Sequence, residues 1–397
     1  MTDGAREPRG AIDRRLFALV GGMVLVETMF YAVLTPLLPY YVENLGLTKA
    51  SAGTLSAFYA FGTIAFAVPA GFLVARIGSR QTVLVGVTLL SASSVAFGFG
   101  HDTAWLDASR FIQGVGGSCL WAGGLTWLVS DAPAERRGEL IGAAVGIGIA
   151  GALLGPVVGG AATLTSPELV FSLLGAVIAG LGVLALAISA PGPGRPDTVG
   201  DLIAAARAEP RIRAGIWFTA LPSMLFGVFE VLAPLRLDVL GAGTAVIAVI
   251  FLICTAVEAL FSPAFGRLAD RRGPYPVARL GLAACIVMAL ILPLPDAVVP
   301  YAVALVAACV AFGSPWVPAS ALLSKAAESR GLGQGVAFGL WNLAWGGGQA
   351  IGSAGGAGLA EASSDAVPYL LLAGLCGLTL LVGLLRRPPG SPAGESG

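Results

Sequence analysis

Apolar residues in this chain come in runs far longer than a buried strand or a core helix requires. About 20 mostly apolar residues suffice to cross a bilayer as a helix. Twelve such segments can be drawn: 16–40, 50–74, 81–100, 104–129, 139–162 and 168–190, then 214–239, 244–266, 276–294, 297–323, 335–360 and 366–385. The pattern predicts an all-α membrane protein of twelve transmembrane helices. The longest polar interruption, 191–213, carries Pro191, Pro193 and Pro196 and a short amphipathic stretch, 201–209, and it divides the segments six and six. It reads as a linker between an N-terminal half, 1–190, and a C-terminal half, 214–387, with a disordered tail over 388–397.

Composition agrees with that pattern. Of 397 residues, 56% are hydrophobic and 12% charged, against about 25% charged in soluble domains. The formal net charge is zero, which provides no basic field for nucleic acid. The polar stretch Met1 to Arg15 precedes an apolar run too long for a signal-peptide core, so that run is expected to stay as the first span. Basic residues set the orientation. With the N-terminus inside, every Lys and Arg except Lys49, Arg110 and Arg236 falls in a cytoplasmic stretch. Both termini are therefore expected in the cytoplasm.

The two halves carry matching punctuation. Gly71-Phe-Leu-Val-Ala-Arg76-Ile-Gly78, followed by Arg80, ends the second segment, and Gly266-Arg-Leu-Ala-Asp270-Arg271-Arg-Gly273 ends the eighth. Leu45-Gly46 and Leu240-Gly241 follow the first and seventh at the same offset. Duplicated halves suit a transporter that rocks around a midplane site.

Few groups inside the apolar runs can do chemistry. Glu27 lies mid-segment, before Pro36 and Pro39. A carboxyl at that depth is expensive to keep charged, so it is suited to loading and releasing a proton; the alternative is a permanent ion pair with Arg110. Arg110, in Arg110-Phe-Ile-Gln113-Gly-Val-Gly, needs a partner if it is embedded, or it snorkels outward. Glu230 and Glu258 complete the acids. Glu230 has Arg236 within reach as an alternative partner, and Glu258 has the seventh segment or Ser262. Trp341, Trp345 and Gln349 recur every four residues, which places them with neighbouring Asn342 on one stripe, suited to an amphipathic ligand. Tyr59 and Gln113 are weaker cavity candidates. Gly142, Gly151, Gly155, Pro156, Gly159 and Gly160 fit the spacing G-x8-G-x3-G-P-x2-G-G, which makes a smooth, bent face for close packing across the half interface. The five cysteines sit in apolar runs and read as packing residues. The single histidine, His101, leaves no His-based metal site, and no phosphate loop or Walker sequence is present.

These residues resemble the major facilitator superfamily over all twelve segments. The loop motif is the one its members carry between the second and third spans and often again between the eighth and ninth. In the family, its acid helps latch the outward-open state; here the first copy has Ala75 in that place, which leaves Asp270 for the role. The resemblance implies that Arg110 is tied to proton coupling. The glycine spacing of the fifth segment and the acid-then-Pro-x-x-Pro first segment are similar to those of the drug:proton antiporters. The implied function is proton-coupled antiport of small amphipathic molecules, cationic or neutral, by a monomer without cofactor in a bacterial inner (cytoplasmic) membrane. A facilitator or symporter for a sugar or other metabolite is the competing expectation. A membrane-embedded enzyme or sensor is the third, and it would call for clustered His, Cys or acidic residues at one face.

Overall fold

The computed structural model describes residues 14–130, 134–190, 192, 209–329 and 334–385. The linker's amphipathic stretch, the tail and the basic residues Arg6, Arg9, Arg195, Arg207, Arg330, Arg386 and Arg387 lie outside the described residues, as do the side chains of Arg136 and Arg137.

Each expected segment is helical. In the first half these are α1 (Arg14–Ala32), α2 (Leu38–Leu45), α3 (Lys49–Ile77), α4 (Ser79–Gly98), α5 (Thr103–Ser130), α6 (Ala134–Leu164) and α7 (Pro167–Leu186). The second half has α8 (Pro210–Val239), α9 (Thr244–Arg272), α10 (Pro274–Ile291), α11 (Val298–Gly313), α12 (Trp316–Ser329), α13 (Gln334–Ala350), α14 (Ala357–Ala362) and α15 (Ala366–Leu385). Ten helical rods among the described residues are long and apolar enough to cross a membrane. Helix starts follow local chemistry. The Thr48 hydroxyl caps α3, and Ser166 caps α7 ahead of Pro167, satisfying amide groups that the first turn leaves unpaired.

Three expected segments are broken rods. The first bends through a 3₁₀ turn, Thr35–Leu37, at Pro36. The tenth breaks between Gly313 and Trp316, at Ser314 and Pro315. The eleventh passes through a π-helical turn, Ile351–Gly356. Prolines account for the first two. In the third, three glycines, Gly352, Gly355 and Gly356, soften the ladder.

All four residues with positive φ among those described are glycines: Gly46 (64°), Gly78 (90°), Gly241 (90°) and Gly273 (83°). They are the duplicated pairs seen in the sequence. Each ends a rod in a conformation that costs a residue with a Cβ. Gly71 and Gly266, the other glycines of the loop motif, mark no tight crossing in this conformation. A Cβ on Gly71 would meet nothing within 4 Å, and one on Gly266 only Val317 at 3.7 Å.

α1 and α3–α7 pack on one another, as do α8–α15. Between these groups α3 meets α13, the π turn and α14, while α6 meets α9. The contacts run from Lys49–Asp365 at one end down to Ile64 beside Gly346. Within α3, Leu55, Ala57, Tyr59 and Ala60 are buried, whereas Phe61 and Phe72 are exposed. On α9, Leu260 and Phe261 are exposed as well. Among the described residues the halves thus meet at the Lys49 end, and α3 and α9 are more exposed toward the Gly78 and Gly273 ends.

Inside the first half, α3 and α5 cross on glycines. A Cβ on Gly62 would collide with the Phe111 carbonyl, and one on Gly114 with the Tyr59 carbonyl. Overpacking typically costs about 1–3 kcal/mol. Gly62→Val is expected to lower the thermal transition of purified protein by several degrees, while Gly71→Val leaves it unchanged. Equal transitions for the two variants would refute this account of the crossing.

Candidate functional site

Glu27 sits on α1 between α3 and α5, 3% exposed. Its carboxylate accepts from the Tyr59 hydroxyl and, at 2.7 Å, from Trp121 Nε1. Arg110 is about two turns into α5 and is turned inward, 2% exposed, so it is not a snorkelling residue. Its guanidinium donates to the Phe30 carbonyl at 2.7 Å, to the Tyr31 carbonyl at 3.3 Å and to Gln113 Oε1 at 3.0 Å. It also lies 4.8 Å from the Tyr59 ring centroid. The expected alternative of a permanent Glu27–Arg110 pair is therefore not what the protein adopts. Arg110 ties α5 to the backbone of α1 just before its bend, and Tyr59 stands between the guanidinium and the carboxylate. Gln113 is fully buried and serves Arg110; it does not line the cavity.

The α1 helix carries a second link one turn beyond Glu27. The Tyr31 hydroxyl donates to Glu230 on α8 at 2.7 Å, and Gln349 Nε2 on α13 donates to the same carboxylate. Tyr31 rings pack against Tyr59 at 5.4 Å and Trp345 at 5.2 Å. Trp341 lies parallel to Trp345, 8° between planes and 6.5 Å between centroids. Glu230, Tyr31, Trp341, Asn342 and Trp345 are partly exposed. The expected stripe on α13 is thus one wall between the halves, and it ends on a carboxylate from α8.

Glu230 does not pair with Arg236, which bonds Asp296 at 2.7 Å. Glu258 does not use its carboxylate on Ser262, whose hydroxyl bonds the Glu258 backbone oxygen at 3.0 Å. Its carboxylate accepts from the Cys309 thiol on α11 at 3.2 Å. Cys309, read as a packing residue, is thus a hydrogen-bond partner of a buried acid. Tyr31 and Trp121 were missing from the candidates. Tyr31 had a signal, since it lies four residues from Glu27 on the same face.

The glycine row of α6 differs from its expected role. Gly151 lies against Thr28 and the Leu25 carbonyl, Gly155 against Ala32, and Gly159 against Val33 and Pro36. These three pack on α1 within their own half. Gly160 meets Ala248 of α9 in the other half. Pro156 lies inside the helix; the surroundings of Gly142 lie outside the described residues. Of the loop-motif residues, Arg80 donates to the Ile188 carbonyl just beyond α7 at 3.4 Å. In the second half Arg279 does the same to Gly383 of α15, at 2.7 Å. Arg76, Asp270 and Arg271 are exposed.

A polar clasp closes the Lys49 end. Lys49 reaches Asp365 at 2.5 Å, and Glu361 accepts from the Ala50 amide at 2.7 Å. Beside it is a cavity of about 740 Å3, lined in part by Arg236, Tyr301 and Tyr369. The Ala50 amide, then the Thr48 hydroxyl, hold the Glu361 carboxyl below the usual glutamate range. A lowered value means the contact is fully present above the ordinary glutamate range and is lost as pH falls through the lowered one. Acidification through that window is expected to separate labels at Glu43 and Ser364, and Glu361→Gln should remove the response. A distance independent of pH would refute it.

The Major Facilitator Superfamily family profile matches residues 20–338. The chain belongs to this superfamily. It is a multi-pass membrane transporter and not an enzyme. Among relatives, quinolone resistance protein NorA of Staphylococcus aureus is 29% identical over 179 residues, 45% of this chain and 45% of NorA. The chain spans about half the length of this curated relative. Among solved structures, a bacterial homologue of the human lysosomal transporter Spinster, inward-facing and occupied, superposes with a TM-score of 0.78 at 14% identity, covering 97% of this chain and 100% of that one. Nucleoside transporter NupG gives 0.75 at 13% identity, covering 94% and 100%. At these identities the structural likeness speaks for the superfamily fold alone.

Proposed function

We propose that this transporter is a proton-coupled antiporter that exports small amphipathic molecules, cationic or neutral, by alternating access. The observation that carries the reading is the environment of Glu27. The nearby guanidinium bonds to backbone carbonyls and Gln113, which leaves the Glu27 carboxyl without an ion pair and held only by two neutral donors. Such a group can take up and give back a proton without breaking a buried salt bridge. The name of the partial relative NorA supports drug efflux. The basic-residue bias supports twelve crossing helices with both termini in the cytoplasm of a bacterial inner membrane. In that orientation the Lys49 end, where the halves meet, faces outward, and the more exposed Gly78 end opens to the cytoplasm. Substrate enters from there, between the α13 stripe and Glu230, and the protein works as a monomer in two halves, 1–190 and 214–387.

The test is uptake into inverted vesicles. An imposed inward-acid gradient should drive accumulation of an amphipathic cationic dye, and adding the dye should dissipate the gradient. Accumulation that ignores the gradient, or alkalinisation that signals movement of proton and solute together, would favour the facilitator or symporter reading.

A further inference from the structure

Glu230 and Gln349 meet where the second half faces α1 of the first. Gln349 commits its Nε2 to the Glu230 carboxylate. That leaves its Oε1 as an acceptor. This oxygen is buried in a residue 1% exposed and has no hydrogen-bond partner. A buried amide oxygen without a donor is an incomplete arrangement. Next to it, the Tyr31 hydroxyl from the opposite half supplies the other donor on Glu230. The Tyr31 and Trp345 rings lie beside this group, and aromatic faces attract cations. A carboxylate and, on the amide that donates to it, an oxygen lacking a donor, next to aromatic rings, describe a receptor for a cation with more than one N–H.

We propose that Glu230 and Gln349 form a two-acceptor subsite for an N–H-bearing organic cation, a primary or secondary ammonium, and that Tyr31 takes the ligand's place on Glu230 in the empty protein. The ammonium donates to the Glu230 carboxylate and to Gln349 Oε1, and displaces the Tyr31 hydroxyl. A quaternary ammonium carries the same charge but leaves Gln349 without a donor. Because Tyr31 belongs to the other half, occupancy of the subsite also removes a hydrogen bond that holds the halves together. The proposal deepens the export reading and rests on its placing of substrate beside Glu230, but binding itself needs no gradient.

The experiment compares 3-phenylpropylammonium with its N,N,N-trimethyl counterpart, binding to purified full-length protein in nanodiscs by calorimetry. The wild type is expected to bind the primary ammonium at least about tenfold more tightly. Gln349→Met, of similar volume, should reduce that preference to about twofold or less, with an unchanged thermal transition as the check on folding. Tyr31→Phe should keep the preference and tighten the primary ammonium. Equal binding of the two cations by wild type, binding of neither, or a preference untouched in Gln349→Met overturns the subsite. Gradient-driven export without a preference sinks the subsite and leaves the export reading standing; a preference without gradient-driven transport does the reverse.

Discussion

Glu27→Gln is expected to abolish gradient-driven uptake into inverted vesicles while exchange of substrate without a gradient continues. As a carboxylate, Glu27 offers an acceptor to Tyr59 of α3 and another to Trp121 of α5. Protonation turns one of those oxygens into a donor. Trp121 can only donate, so the new O–H is matched most simply by the Tyr59 hydroxyl turning from donor to acceptor. On the proposed reading, proton loading therefore rearranges the hydrogen bonds that join α1 to α3 and α5. Glutamine has the shape of the protonated acid and cannot release a proton, so it holds the site in that form. Glu27→Asp, which titrates but falls short by one methylene, should retain partial coupling. Wild-type accumulation by the glutamine variant would remove Glu27 from the proton path.

The second large effect is at Gly53. A Cβ there would collide with the Ser353 carbonyl and the Ala357 Cβ, both in the opposite half. Neither half alone is strained by the added side chain; only their closure at the Lys49 end is. Gly53→Val should therefore cost the closed state about 3 kcal/mol or more, roughly a hundredfold in population. Labels at Glu43 and Ser364 should report a longer distance, and transport should stop at that step. The contrast with Gly62→Val, which strains a single half and lowers its stability, separates a conformational effect from a folding one. An unchanged distance with normal transport would show that the Gly53 crossing does not define closure.

The rods, their order and the duplicated glycines were legible because each rests on a local rule, either apolar length or positive φ. Glu27, Arg110, Glu230 and Glu258 were legible because charges in apolar runs are conspicuous. Their partners were not. Arg110 donates to the carbonyls of Phe30 and Tyr31, and backbone oxygens leave no mark in a sequence. Trp121 and Cys309 look like packing until a carboxylate is found beside them. The glycine spacing of α6 says that something approaches closely, but not what; for Gly151, Gly155 and Gly159 it is α1 and its bend in the same half, and only Gly160 meets the other half. The π turn at Ile351–Gly356 has no local signature beyond its glycines. It arises where the eleventh rod is pressed between α3 and α8, with Gly53 on one side and the Met224 backbone on the other.

The Lys49–Asp365 clasp bears on speed. Both side chains are about a third exposed or more, 39% and 34%, and pairs of that kind contribute only about 0–1 kcal/mol. A buried bond of several kilocalories at the same place would hold this end shut more faithfully, but it would also raise the barrier that every cycle has to cross. A transporter with so light a catch is suited to turnover, and its rate should be little changed by cutting the clasp at Asp365.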